Sequence, residues 1–134
     1  MSFGLRGALA LLTVLVMFVV ASCDTSEAEG TVVSVGPTQA VRLIAEGEAI
    51  VVDLRSPRAF AAAHVAGAVN VDASAADFEE RVARLDEGAT YLVYARTAEL
   101  SAPAADKMVR LGIERVVDAG GFGLLAIAGA ELEG

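Results

Sequence analysis

The sequence predicts an α/β protein, a single domain on a mostly parallel central sheet of about five strands with helices on both faces. Three observations lead there. From Thr31 onward, short apolar runs alternate with segments whose apolar residues recur at helical spacing. Two of the runs, Ala49 to Leu54 and Tyr91 to Tyr94, are nearly unbroken, as strands covered on both faces require. The chain has 134 residues, 55% of them hydrophobic but only 5% aromatic and none of them Trp, so one core must be filled mainly by Val, Leu, Ala and Ile.

The elements follow in order. Thr31 to Val35 is a β-branched run and reads as a strand. Gly36-Pro37 then turns the chain into a helix carrying Ala40, Val41, Leu43 and Ile44 on one face, with Gly47 as its stop. Ala49 to Leu54 is the next strand, and Ser56-Pro57 opens a short helix through Phe60 to Ala63. Ala68 to Val71 is a brief strand. Ala75 to Leu85 is a helix by the spacing of Phe78, Val82 and Leu85, closed by Gly88. Tyr91 to Tyr94 is the buried strand. Ser101 to Leu111 is a helix in which Pro103 is tolerable in the first turn and Gly112 caps the end. Ile113 to Val117 is the last strand expected.

Ahead of the domain, Arg6 precedes an apolar stretch from Gly7 to Ala21 that only Thr13 interrupts, the layout of an export signal. The stretch is shorter than the roughly 18 residues that a membrane-spanning helix needs, so a permanent span is the second choice. It ends in Val20-Ala21-Ser22-Cys23, which resembles a bacterial lipobox. That resemblance implies a signal peptide over residues 1–22, a lipidated Cys23 that tethers the chain to the membrane, and a mature protein beginning there. Ordinary signal cleavage is the alternative and leaves Cys23 as a free thiol. Residues 24–30 are small, polar and acidic and read as a flexible tether, so the domain spans 31–134. Cys23 is the one cysteine, so no disulfide can staple the domain.

Formal net charge is −8, and the basic residues beyond Arg6 are scattered among 18 acidic ones without a Lys/Arg run. Nucleic acid is therefore not an expected partner. The acidity suits a solvated surface and carries no function by itself.

Val51-Val52-Asp53-Leu54-Arg55-Ser56-Pro57 with Phe60, followed by His64-Val65-Ala66-Gly67-Ala68-Val69-Asn70, resembles the rhodanese homology domain, with its strand ending in D-x-R and its G-H-I-P-G-A-x-N stretch. Tyr91 to Tyr94, the loop behind it, Ser101, Ala104, Ala105 and Leu111-Gly112-Ile113 resemble the family's catalytic strand, loop and helix, and Gly120-Gly121 its terminal double-glycine turn. The resemblance implies sulfur transfer through a Cys at the start of that loop, where backbone amides and a helix N-terminus stabilise thiolate and persulfide. It also implies that Asp53, Arg55, His64, Gly67, Gly120 and Gly121 are structural. A lone His with no Cys or carboxylate cluster is no metal site, and no cofactor is expected.

The loop reads Ala95-Arg96-Thr97-Ala98-Glu99-Leu100-Ser101, so the position that resembles the family's Cys is Ala95, and a methyl group cannot carry sulfur. Ala98 stands where the family often has Gly, and Leu100 where it frequently has Arg. Glu99 adds a negative charge that would repel a bound anion ~5 Å away by about 3 kcal/mol at an effective dielectric near 20, unless Arg96 offsets it. Thr97 and Ser101 are hydroxyl candidates for a replacement nucleophile but lack an identifiable base. The expectation is a lipid-anchored, non-catalytic binding or regulatory domain whose loop holds a small anion or an envelope protein's acidic side chain. A vestigial loop that binds nothing specific is the open alternative. Sulfur transfer by a non-standard or partner-supplied nucleophile is the enzyme alternative, and a spacer role in the envelope a third.

Overall fold

The computed structural model describes residues 29–134, so the leader, the lipobox-like tetrad and most of the expected tether lie outside the described residues. The elements are β1 (Thr31–Ser34), α1 (Pro37–Glu46), β2 (Ile50–Asp53), α2 (Pro57–Ala62), β3 (His64–Val65), β4 (Val69–Asn70), α3 (Phe78–Ala83), β5 (Thr90–Ala95), α4 (Ala98–Arg110), β6 (Arg115–Gly121), α5 (Phe122–Ile127) and β7 (Leu132–Glu133).

Five strands form one sheet in the order β1-β6-β5-β2-β4, every neighbouring pair parallel. Successive side chains of a strand point to opposite faces, and β5 shows the consequence. Tyr91, Val93 and Ala95 join Phe78, Val82, Ala104 and Met108 in the core under α3 and α4. Leu92 and Tyr94 join Ala40, Val51 and Leu125 in the core under α1 and α5. Helices therefore cover both faces, as the unbroken apolar runs require. A two-stranded antiparallel clasp, β3 with β7, lies apart from the main sheet.

Four expectations are corrected. Helix α3 begins at Phe78 rather than Ala75, because Asp72 accepts hydrogen bonds from the Ser74 amide (2.9 Å) and hydroxyl (2.7 Å) and holds the preceding residues in a turn. Helix α4 begins a turn earlier than expected, at Ala98, so Pro103 lies inside it and not in its first turn. Its ring removes the N–H that would bond the Glu99 carbonyl, but Pro103 and Glu99 are both exposed, so water can replace that bond. The last parallel strand runs Arg115–Gly121 rather than Ile113 to Val117, and α5 and β7 follow it unforeseen. Gly30, placed in the tether, is packed instead: a Cβ there would strike the Ile113 carbonyl and the Val109 side chain.

Candidate functional site

Strands β2 and β5 are neighbours, but the chain leaves them in opposite directions, from β2 toward β4 and from β5 toward β6. A crevice at the carboxyl ends of the strands is the result of such a switch in direction. Here it is a cleft of about 540 Å³. Leu54, Arg55, Ser56 and Ala59 form one wall, and Asp72, Ala73, Ser74 and Phe78 a second. Leu100, Pro103, Ala104 and Lys107, one face of α4, form the third. Ala95 lies at its floor, 4% exposed at the end of β5.

Asp53 and Tyr94 share the opposite sheet face from Ala95, and Asp53 is fully buried. A buried carboxylate is costly unless paired and hydrogen-bonded, and four donors surround this one. Arg55 Nη2 meets Oδ2 at 2.7 Å and its Nε meets Oδ1 at 3.1 Å. The Arg55 amide donates to Oδ1 at 2.8 Å and the Tyr94 hydroxyl to Oδ2 at 2.7 Å. Arg55 also donates to the Ala63 carbonyl (2.6 Å), and its guanidinium lies 3.9 Å from the Phe122 ring centroid. Burial works against the guanidinium's charge, but hydrogen bonding to Asp53 and its negative charge outweigh it, so the Arg55 pKa rises. Burial above all, reinforced by the Asp53 carboxylate, holds the Tyr94 hydroxyl far above the usual phenol range. Tyr94 therefore stays protonated, donating to Asp53 while accepting from the Val65 amide at 3.0 Å. The D-x-R element thus ties β2 to β5, to the end of α2 and to the ring that opens α5.

The seven-residue loop of the sequence reading is shorter. Only Arg96 and Thr97 lie between β5 and α4, Thr97 as the N-cap without a side-chain cap bond, and Ala98 to Ser101 form the first helical turn. Arg96 borders the cleft over Ala95 and also a second cleft between α4, α5 and the end of β1. Thr97, Ala98 and Glu99 border only the second. The Glu99 charge therefore does not face the Ala95 cleft. Leu100 does, 51% exposed. Ser101 is fully buried and donates to Asp118 Oδ1 at 2.6 Å, which removes it as a candidate nucleophile in either cleft.

His64 stacks on Phe60 with ring centroids 3.7 Å apart, and its ring nitrogens face the Phe60 carbonyl (2.7 Å) and Glu133 Oε1 (3.2 Å). The same Glu133 oxygen accepts from the Gly67 amide at 2.9 Å. His64 and Gly67 thus hold the β3–β7 clasp and lie outside the cleft lining. Gly120 adopts φ +79°, where glycine is favoured, and its amide donates to Asp118 Oδ1 at 3.0 Å. Gly121 is needed for space: a Cβ there would sit 3.1 Å from the Arg96 carbonyl. The double glycine lets β6 pass closely beneath the turn after β5. Among the described residues no cluster of acidic, His or Cys side chains is arranged to hold a metal.

The sequence reading missed Phe122 over Arg55, Glu133 on the clasp, Phe78 and Asp72 in the cleft wall, and Asp118. Asp118 carried a signal, a carboxylate inside the apolar run Val116 to Ala119. The others join segments far apart in the chain and left none.

A parallel sheet between helix layers, with a cleft at the carboxyl end of its central strand and a D-x-R brace beside it, defines a rhodanese-type α/β domain. The pattern of the family described as Rhodanese-like domain matches residues 36–123, and the chain belongs to that family. Among curated proteins it is similar to thiosulfate sulfurtransferase GlpE of Pseudomonas entomophila, 41% identical over 92 residues, which cover 67% of this chain and 81% of the relative. It is likewise 40% identical over 90 residues to thiosulfate sulfurtransferase GlpE of Pseudomonas putida, covering 66% and 79%. Among solved structures, the rhodanese-like domain of an Anabaena protein superposes with TM-score 0.68 at 20% identity, covering 75% of this chain and 78% of that one. A rhodanese-related protein from Thermoplasma volcanium gives TM-score 0.66 at 22% identity, covering 75% and 97%. These two likenesses speak to the fold.

Proposed function

We propose that this chain is a membrane-anchored rhodanese-like domain without the family's nucleophile, acting as a non-catalytic binding or regulatory module in the cell envelope. One observation carries the reading: the side chain at the cleft floor, at the position that resembles the family's sulfur-carrying Cys, is the methyl group of Ala95. A thiolate attacks the outer sulfur of thiosulfate, sulfite departs, and a persulfide remains; a methyl group offers no electron pair for the first step. The two hydroxyls considered as replacements do not supply it. Ser101 is consumed by Asp118, and Thr97 borders the other cleft. The anchor is proposed from Val20-Ala21-Ser22-Cys23 behind the apolar stretch.

A second reading, sulfur transfer through a non-standard or partner-supplied nucleophile, is favoured by the identity of 41% to a relative named thiosulfate sulfurtransferase. The test compares thiosulfate:cyanide activity and intact mass for the full chain, its Cys23→Ser variant, and Ala95→Cys in the Cys23→Ser background. The expected result is a silent parent and a persulfide only on Ala95→Cys. Turnover that survives Cys23→Ser would establish the enzyme reading, and turnover that disappears with it would make Cys23 the nucleophile. Labelling with radioactive palmitate, lost in Cys23→Ser, tests the anchor.

A further inference from the structure

We propose that the cleft over Ala95 is a binding site for a small amphipathic carboxylate, its apolar body lying along α4 and its charge held by Arg96. The inference rests on the non-catalytic reading above and names the class of ligand that such a cleft would take.

The cleft combines three features. Its volume, about 540 Å³, lies in the range of small-molecule sites. Its surface is largely apolar, with Leu54 and Phe78 facing Leu100, Pro103 and Ala104 across the Ala95 floor. Leu100 to Lys107 spans two turns of α4, so this wall is about 10 Å long. An inorganic oxyanion would leave such a wall uncovered, whereas an apolar body removes it from water.

Charge decides the other end of the ligand. The chain carries −8 overall, yet the cleft is lined by Arg55, Arg96 and Lys107 against Asp72 alone. Arg55 is taken by Asp53 and Lys107 by Glu79 at 2.8 Å, while Asp72 is occupied by Ser74. Arg96 makes no salt bridge among the described residues and is exposed at the cleft rim. Guanidinium matches carboxylate geometry with paired N–H donors. One open cation at the end of an apolar wall selects a monoanion with an apolar tail, and the exposed Leu100 supplies part of that wall.

The test titrates the purified full chain with 3-phenylpropionate, propionate, phenethylamine and thiosulfate, following the backbone amide shifts of Ala59, Leu100 and Ala104 so that only binding in the cleft is counted. The expected order is 3-phenylpropionate tighter than propionate and than phenethylamine by about tenfold or more, with thiosulfate no better than propionate. Arg96→Gln weakens 3-phenylpropionate by about tenfold and Leu100→Asp by more, both with an unchanged amide spectrum elsewhere. The proposal is overturned if 3-phenylpropionate leaves these amides unmoved, if thiosulfate binds as tightly, or if Arg96→Gln leaves the affinity unchanged. The persulfide assay reads a nucleophile and this titration reads the cleft, so each can fail while the other stands.

Discussion

Replacing Arg55 with Met tests whether the D-x-R element is a structural brace. Arg55→Met removes the 2.7 Å ion pair to Asp53, the 2.6 Å bond to the Ala63 carbonyl and the stacking on Phe122, while keeping an apolar stem of similar length. Breaking a buried pair by deleting one partner costs about 3–5 kcal/mol, because the other charge is stranded. Two facts reduce this. Asp53 keeps donors from the Arg55 amide and the Tyr94 hydroxyl, and the Arg55 side chain is 11% exposed, so water screens part of its charge. The expected loss is therefore about 2–3 kcal/mol, a large share of the 5–15 kcal/mol that holds a typical domain. For a domain of this size that lowers Tm by about 10–20 °C. Urea denaturation of the parent, Arg55→Met, Asp53→Asn and the double variant reads the terms separately. With the carboxylate neutralised, the double variant should recover part of the loss, so the two single costs do not add. A loss below about 1 kcal/mol in Arg55→Met, or strict additivity in the double variant, would refute the account of a stranded charge.

Two further outcomes follow from the same geometry. Ser101→Ala deprives the buried Asp118 of its 2.6 Å hydroxyl donor and leaves the Gly120 amide as its remaining partner, so urea denaturation should register a loss of about 1–3 kcal/mol. The Glu133 pKa is lowered in the fold, first by the Gly67 amide and then by His64. Its contribution is thus present above its ordinary value of 4.5 and is lost as pH falls through the folded value. The protection of the Gly67 amide, the slowing of its exchange relative to an unfolded chain at the same pH, should fall over that acid window, and Glu133→Gln should abolish that fall. A protection factor at Gly67 that stays constant over that window would remove Glu133 from the clasp.

Much of this protein was legible in its sequence. Apolar periodicity is a property of neighbouring residues, so the alternation of strands and helices, the two-faced burial of β2 and β5 and the stops at Gly47 and Gly112 could be read from short windows. The D-x-R and His64 to Asn70 stretches are equally local, and they carried the family. Tertiary structure decided which of these residues meet. Asp72 captured Ser74 and delayed α3; α4 started a turn early because Ala98 to Leu100 continue its helix, and that turned Glu99 to the second cleft and Leu100 to the first. Phe122 reached Arg55 only because α5, packed on α1 and β6, brings the ring beside Tyr94, and Glu133 lies 69 residues from the His64 it holds. Backbone periodicity is set by sterics within a few residues, whereas a cleft is made where distant segments lose water together. Hence Ala95 could be singled out from the sequence, while the character of the surface above it, an apolar wall with one open cation, emerged only when four elements were brought to the carboxyl end of the sheet.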